Sequence, residues 1–217
     1  MPFVPETLVE SVILAARLPI AAWLWAATLV LVQLLAGWMV ADFGSGVIHW
    51  AQDRYGSPRW RWVGPIVRDT IRHHRKPRGF LSQPVLVRSG RMIGLAVFMG
   101  GIFLLAGMPA AFTLSLVTGI ALSNEIHAAA HAPASDLPAW VRGLQARGLI
   151  QSPQHHAAHH RALKNVHFCT LTDWTNPALE RVRFWRRLEA LMRMGGGIRT
   201  RRDPVVRRQQ RRRWRTA

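Results

Sequence analysis

The chain has 217 residues, a length for one domain or two at most. It is 49% hydrophobic yet carries a formal net charge of +18, so apolar and basic residues must be segregated along it. The single cysteine, Cys169, excludes an intramolecular disulfide and suits a site facing a reducing cytoplasm.

Residues 5–16 predict a helix that lies on a membrane or begins a span. The start is acidic, with Glu6 and Glu10, and Arg17 comes late. A cleaved signal peptide begins basic, so an uncleaved membrane protein is expected. Residues 18–40 carry no charged side chain. That stretch is long enough to cross a hydrocarbon core of roughly 30 Å, which takes about 20 helical residues. Its helical pattern continues through Asp42 and Gly46 to His49 and Asp53.

Residues 55–91 are punctuated by Gly56, Pro58, Pro65, Pro77, Gly79, Pro84 and Gly90 and read as a loop region. A short helix is expected over residues 66–74. Residues 92–124 again lack charge. Gly107-Met108-Pro109 interrupts them, which predicts a helical hairpin of residues 92–106 and 109–131. Cytoplasmic helices are expected over 139–146, 155–161 and 177–194, the last ended by Gly195-Gly196-Gly197. No P-loop, GxGxxG, CxxC pattern or internal repeat occurs.

Charge predicts the orientation. Segment 50–91 holds nine arginines and one lysine against two aspartates, whereas the turn at Gly107 is uncharged. Under the positive-inside rule that segment and everything after His131 face the cytoplasm. Trp50, Trp60 and Trp62 fall where an interfacial aromatic belt belongs. The fold class expected is an all-α integral membrane protein of three transmembrane helices, or four if the N-terminal helix crosses, with a cytoplasmic helical histidine-rich cap. Residues 1–192 would form the membrane-embedded domain and residues 193–217 a basic disordered tail. Arginine clusters of this kind neutralise nucleic-acid phosphate in some proteins. Next to a membrane they hold anionic headgroups or set topology, so no nucleic-acid partner is expected. A bacterial inner membrane with the site on its cytoplasmic side follows.

All ten histidines fall in short clusters at or near the edges of apolar stretches. On a helix, residues four apart share a face. His49 therefore converges with Asp53, His127 with His131, His155 with His159, and His156 with His160. His73-His74 adds a doublet, and His167 stands alone. One such pair is weak evidence, but the recurrence predicts a metal centre, since neutral imidazole is the commonest protein metal ligand. The number of donors suffices for two metals, and a nitrogen-rich set without thiolate suits Zn, Cu, Fe or Ni.

The segment Asp42-Phe43-Gly44-Ser45-Gly46-Val47-Ile48-His49-Trp50-Ala51-Gln52-Asp53 resembles the first motif of the Kua/CarF lipid desaturase family. The likeness recurs at Arg72-His73-His74, at Asn124-Glu125-Ile126-His127-x3-His131, and at His155-His156-x2-His159-His160 through His167-Phe168-Cys169. It ends at Asn176-Pro177-x-Leu179-Glu180 and Phe184-Trp185-x2-Leu188-Glu189, covering roughly residues 35–190. The resemblance implies a membrane enzyme with two Fe ions that uses O₂ and electrons from an acidic donor of ferredoxin or cytochrome b5 type. Carried over, the metal residues are His49, Asp53, His73, His74, His127, His131, His155, His156, His159, His160 and His167. Asn124 and Asp173 are candidates to support a ligand without touching metal. Asn124 could equally satisfy a helix end, and Asp173 a turn or cap. The family carries a further His-Asp-Phe motif after the doublet; here Gln83 and Pro84 stand in place of its histidine and aspartate.

The activity implied is oxidation of a phospholipid substrate: conversion of the O-alkyl chain of plasmanylethanolamine, an ether phospholipid, to a vinyl ether (plasmalogen). The alternatives are an acyl-chain desaturase and a hydroxylase, told apart by loss of two hydrogens or gain of one oxygen. A non-catalytic metal-binding membrane protein is the remaining reading. A transporter would place ionisable groups along a path through the bilayer, and residues 18–40 and 92–124 have none.

Overall fold

The structure, a computed structural model, describes residues 19–161 and 166–201. The N-terminal helix expected over residues 5–16 lies outside the described residues, as does the tail from residue 202. Among the described residues every regular element is helical: α1 (Ile20–Arg54), α2 (Gly64–Arg75), α3 (Val85–Leu105), α4 (Ala110–His131), α5 (Ala139–Ala146), α6 (Pro153–Arg161), α7 (Thr175–Arg181) and α8 (Phe184–Gly196). A 3₁₀ turn, Ala134–Asp136, links α4 to α5.

The 35-residue α1 is about 52 Å long at 1.5 Å per residue. It therefore extends roughly 20 Å past a hydrocarbon core of about 30 Å. Its first half is apolar on all sides and open: Ile20, Leu24, Trp25, Leu31 and Leu35 are exposed. From Gly37 the buried residues form one stripe, Gly37, Ala41, Asp42, Gly46, His49, Trp50 and Asp53, at the three-to-four spacing of a single helix face. Thus one continuous helix carries an apolar half and a ligand-bearing half.

Two helices, α1 and α3, are long and apolar enough to cross a membrane. The side chains of Val97, Phe98, Leu104 and Leu105 on α3 are exposed as well. Exposed apolar surface on this scale is more stable against lipid than against water, which is consistent with a membrane protein. α4 packs against both. Its approach to α1 is close because small residues meet there: a Cβ on Gly119 would lie 2.6 Å from the Cβ of Ala41, and one on Gly37 would overlap the Phe112 carbonyl. Gly107, at φ 69°, turns the chain from α3 into α4, a conformation that costs glycine nothing.

Two helical expectations are corrected. α3 starts at Val85, seven residues before the expected 92, because Arg88 is not left in lipid. It pairs with Glu125 of α4 and donates to the carbonyls of Leu81 (3.2 Å) and Gln83 (3.3 Å). The expected helix over 177–194 is two helices, broken at Arg183, whose φ is 52°. The break turns Trp185 inward, where it stacks on Trp50 (centroids 5.8 Å) and meets Phe168 edge-on (5.1 Å). α8 continues to Gly196, so the expected boundary at 192/193 falls within a helix. Beyond it, the backbone N–H of Arg201 donates to the Arg54 carbonyl at 2.5 Å.

Candidate metal centre

Two groups of ligand atoms lie at the end of α1 and α4 away from the Gly107 turn. His73, His127, His131, His156 and His160 form one; His49, Asp53, His74 and His159 form the other. Within each group the donor atoms are all within 4.8 Å of one another. Three of the four i,i+4 pairs each supply one group, His127/His131 and His156/His160 the first and His49/Asp53 the second; of His155/His159 only His159 joins, in the second. The doublets do the opposite. Neighbouring helical residues point about 100° apart, so His73 and His74 serve different groups, as do His159 and His160. That division places the two groups side by side.

In the five-imidazole group the Nε2 atoms face each other directly. Those of His127 and His156 are 2.9 Å apart, those of His160 and His156 2.9 Å, those of His127 and His73 3.1 Å, and those of His131 and His73 3.1 Å. A metal with bonds of about 2.0–2.1 Å to imidazole spaces its ligand atoms by about 3.0–3.4 Å, so the spacing fits a shared ion. Phe80 covers this group, with its ring 5.0 Å from His73 and 5.5 Å from His127.

In the second group Asp53 lies 3.1 Å from the Nε2 atoms of His74 and of His159 and 3.5 Å from that of His49. Two tautomers are set by the backbone. His49 Nδ1 donates to the Phe168 carbonyl at 3.0 Å and His159 Nδ1 to that of Val166 at 2.8 Å. A carbonyl only accepts, so Nδ1 carries the proton and the Nε2 lone pair of each ring is left for metal.

Burial keeps His73 on α2 and His156 and His160 on α6 neutral. It is the largest influence on His73, His156 and His160, with neighbouring histidines adding to it. His160 is lowered to about 2, and His73 and His156 fall far below the ordinary histidine value. Neutral imidazole is the ligating form.

The other expected residues stand elsewhere. His155 and His167 pair with each other, ring centroids 4.2 Å apart. His155 Nε2 lies 2.9 Å from Asn176 Nδ2, and His167 Nε2 3.3 Å from Glu180. Asn124 donates to the Arg88 carbonyl at 2.6 Å, tying α4 to α3 rather than orienting a histidine. Asp173 accepts from the Ser152 backbone N–H at 2.9 Å and holds the start of α6, whose His155 N–H is capped by Ser152 Oγ. Gln83 belongs to neither group.

Three supporting residues escaped the reading by spacing. Asp42, fully buried, accepts from Leu171 N–H (2.8 Å) and from the hydroxyls of Thr172 and Thr175 (2.6 Å each). Asn176 holds both backbone groups of Cys169, and Gln151 donates to the same carbonyl at 2.9 Å. Together they fix segment 166–172, whose carbonyls orient His49 and His159. The signal available was Asp42 directly after an uncharged run, and two amides among the histidine motifs.

A helical chain with long apolar helices and two adjoining nests of imidazole that could hold metal falls in a class, the histidine-rich proteins of membranes. Residues 38–203 match the lipid desaturase domain, and the chain belongs to that family. It is 31% identical to plasmanylethanolamine desaturase 1 of Mus musculus over 82% of this chain and 70% of that protein. It is 31% identical to the chloroplastic fatty acid desaturase 4-like 1 of Arabidopsis thaliana over 76% of this chain and 57% of the relative. A probable fatty acid desaturase of Acanthamoeba polyphaga mimivirus is 28% identical over 78% of this chain and 86% of its own length. No solved structure matches the chain.

Proposed function

We propose that the protein is a membrane lipid desaturase with two iron ions, one in each ligand group, that converts the O-alkyl chain of plasmanylethanolamine to a vinyl ether. The observation that carries this reading is the sorting of eight imidazoles and one carboxylate into two adjacent groups at the end of apolar helices. The donor chemistry fits: nitrogen-rich with one carboxylate suits iron, and burial holds His73, His156 and His160 neutral with their Nε2 atoms converging. α1, α3 and α4 would cross the bilayer, with the metal end in the cytoplasm beside the basic segment 54–91.

Iron in these groups would supply activation of O₂ toward an unactivated C–H bond. The overall change consumes one alkyl CH₂–CH₂ unit, O₂, two electrons and two protons, and yields the alkene and two waters. The electrons would come from an acidic ferredoxin or cytochrome b5-type donor, which a basic face attracts. The chain's residues do the rest. The carbonyls of Phe168 and Val166 fix two ring tautomers, and Phe80 and Phe168 shield the imidazoles from water.

Acyl-chain desaturation is the second reading, supported by the name of the plant relative. Lipid analysis of a host expressing the full chain, with and without fed alkylglycerol, separates them. Vinyl ethers are expected; a new acyl double bond favours the second reading, and an added oxygen a hydroxylase. No change in any lipid overturns both desaturase readings.

A further inference from the structure

A cavity of about 790 Å³ opens where the loop after α2, the end of α4 and helix α6 meet. His131, His156 and His160 form part of its wall, all from the five-imidazole group. No residue of the other group borders it. The cavity thus leads to one half of the metal centre and leaves the other half closed.

Its other walls are small or apolar, including Pro77, Ala130 and Ala157, but it also carries three cations: Lys76, Arg78 and Arg161. Among the described residues no acidic side chain lines it. All three cationic side chains belong to exposed residues. None has an ion-pair partner among the described residues. An apolar hollow edged by unneutralised cations fits an amphiphile with an anionic head. Arginine and lysine are the usual phosphate binders, arginine through its two-pronged geometry and lysine as a point charge.

We propose that Lys76, Arg78 and Arg161 hold the phosphate of the phospholipid substrate at the mouth of this cavity, so that the bond nearest the glycerol is the one carried to the five-imidazole group. The proposal rests on the desaturase reading and deepens it. Length supports it. A vinyl ether places the oxidised carbon beside the ether oxygen, six bonds from phosphorus, or about 7 Å at the reach of an extended chain. A rounded hollow of this volume is about 11 Å across, and the volume is within the ordinary range for a ligand site. A phosphate at the mouth therefore sets the head-proximal carbons, not the distal chain, against His131, His156 and His160. An acidic electron donor is the rival occupant, but a protein docks on a broad surface and has no use for an apolar hollow reaching the imidazoles.

The test is lipid retention by the purified full chain in detergent, read by native mass spectrometry. The probes are 1-O-alkyl-2-acyl phosphatidylethanolamine and the 1-O-alkyl-2-acylglycerol with the same chains but no phosphate. Wild-type protein should retain the phospholipid at least tenfold better. The Lys76→Gln, Arg78→Gln, Arg161→Gln triple variant should lose that preference with its metal content unchanged. Should the triple variant lose metal or fail to insert, the charge-preserving pair Arg78→Lys and Arg161→Lys, which should keep most of the preference, and the three single glutamine variants, each with a partial loss, decide the matter. Equal retention of both lipids by wild type, or unchanged preference in the glutamine variants, overturns the proposal. So does slower reduction by a ferredoxin with lipid retention intact, which would assign the cations to the donor. Failure of the desaturase reading looks different: phosphate-dependent retention persists while no lipid gains a double bond.

Discussion

The Nε2 atoms of His127 on α4 and His156 on α6 stand 2.9 Å apart. Two neutral rings that each present a nitrogen lone pair would repel at that distance, and His127 and His156 would be held there together by a metal cation that both ligate. Neither helix could hold this arrangement alone, so the separation reports how firmly the surrounding fold presses the rings together.

Metal content is the first consequence. The purified full chain should carry about two iron ions, as expected from two complete donor groups. His156→Ala or His127→Ala should lower the content toward one and cut turnover by at least about 100-fold, since losing even a supporting partner of a metal ligand costs about 10–100-fold. His155→Ala and His167→Ala should leave the content unchanged. Elemental analysis of the five proteins checks this, and equal loss from His155→Ala would remove the distinction between the helix faces.

Asp53 is the sole carboxylate of the second group. Asp53→Asn keeps the shape and removes the charge. It should release the ion held there while the five-imidazole group stays filled. Metal content of about one per chain, with the remaining ion's spectrum resembling nitrogen-only ligation, is the expected result; full occupancy in Asp53→Asn would refute the role.

Acid should act from below neutrality. His73, His156 and His160 have folded pKa values lowered by burial, His160 to about 2, against about 6.5 in an unfolded chain. The unfolded state therefore binds more protons below about pH 6.5. Their contribution to stability is complete above that value and declines as pH falls toward the folded values. Thermal unfolding of metal-free protein in detergent should be flat from about pH 9 to 7 and fall steadily from about pH 6.5 to 4.5. Iron should be released over the same interval, because ligation and protonation compete. A midpoint unchanged down to pH 5 would contradict this.

Asp42 should behave as a structural anchor. Asp42→Ala leaves one backbone N–H and two hydroxyls without their acceptor in a buried place, at about 1–3 kcal/mol for each group left unsatisfied. Asp42→Asn, which keeps one acceptor oxygen, should cost less. Because Asp42 fixes the segment whose carbonyls orient His49 and His159, the alanine variant should also weaken metal binding in the second group. Thermal unfolding and metal titration of both variants measure this, and an alanine variant of wild-type stability would exclude the anchoring role.

Gln83 occupies the place where the family motif has histidine, yet both ligand groups are complete without it. Gln83→His should change metal content and turnover by no more than about twofold. A rise in metal content or a large gain in activity would show that the position reaches the centre.

Much of this protein is written in short-range order. The uncharged runs marked α1, α3 and α4 because lipid tolerates no charge, and four-residue spacing identified His49 with Asp53, His127 with His131 and His156 with His160 because a helix turn is 3.6 residues. The family was legible from the order of its motifs. Only the tertiary structure decided which imidazoles meet. His155 has the same spacing to His159 as His156 has to His160, yet it turns to Asn176 and His167. A doublet shows that two rings diverge, and the packing of α6 against α4 and segment 166–172 selects the one that faces inward. The break at Arg183 was equally hidden, because it exists to bring Trp185 onto Trp50 from a distance in the chain that no local pattern spans. Periodicity fixes the face of each helix, and the choice of partner comes from burial summed over the whole molecule.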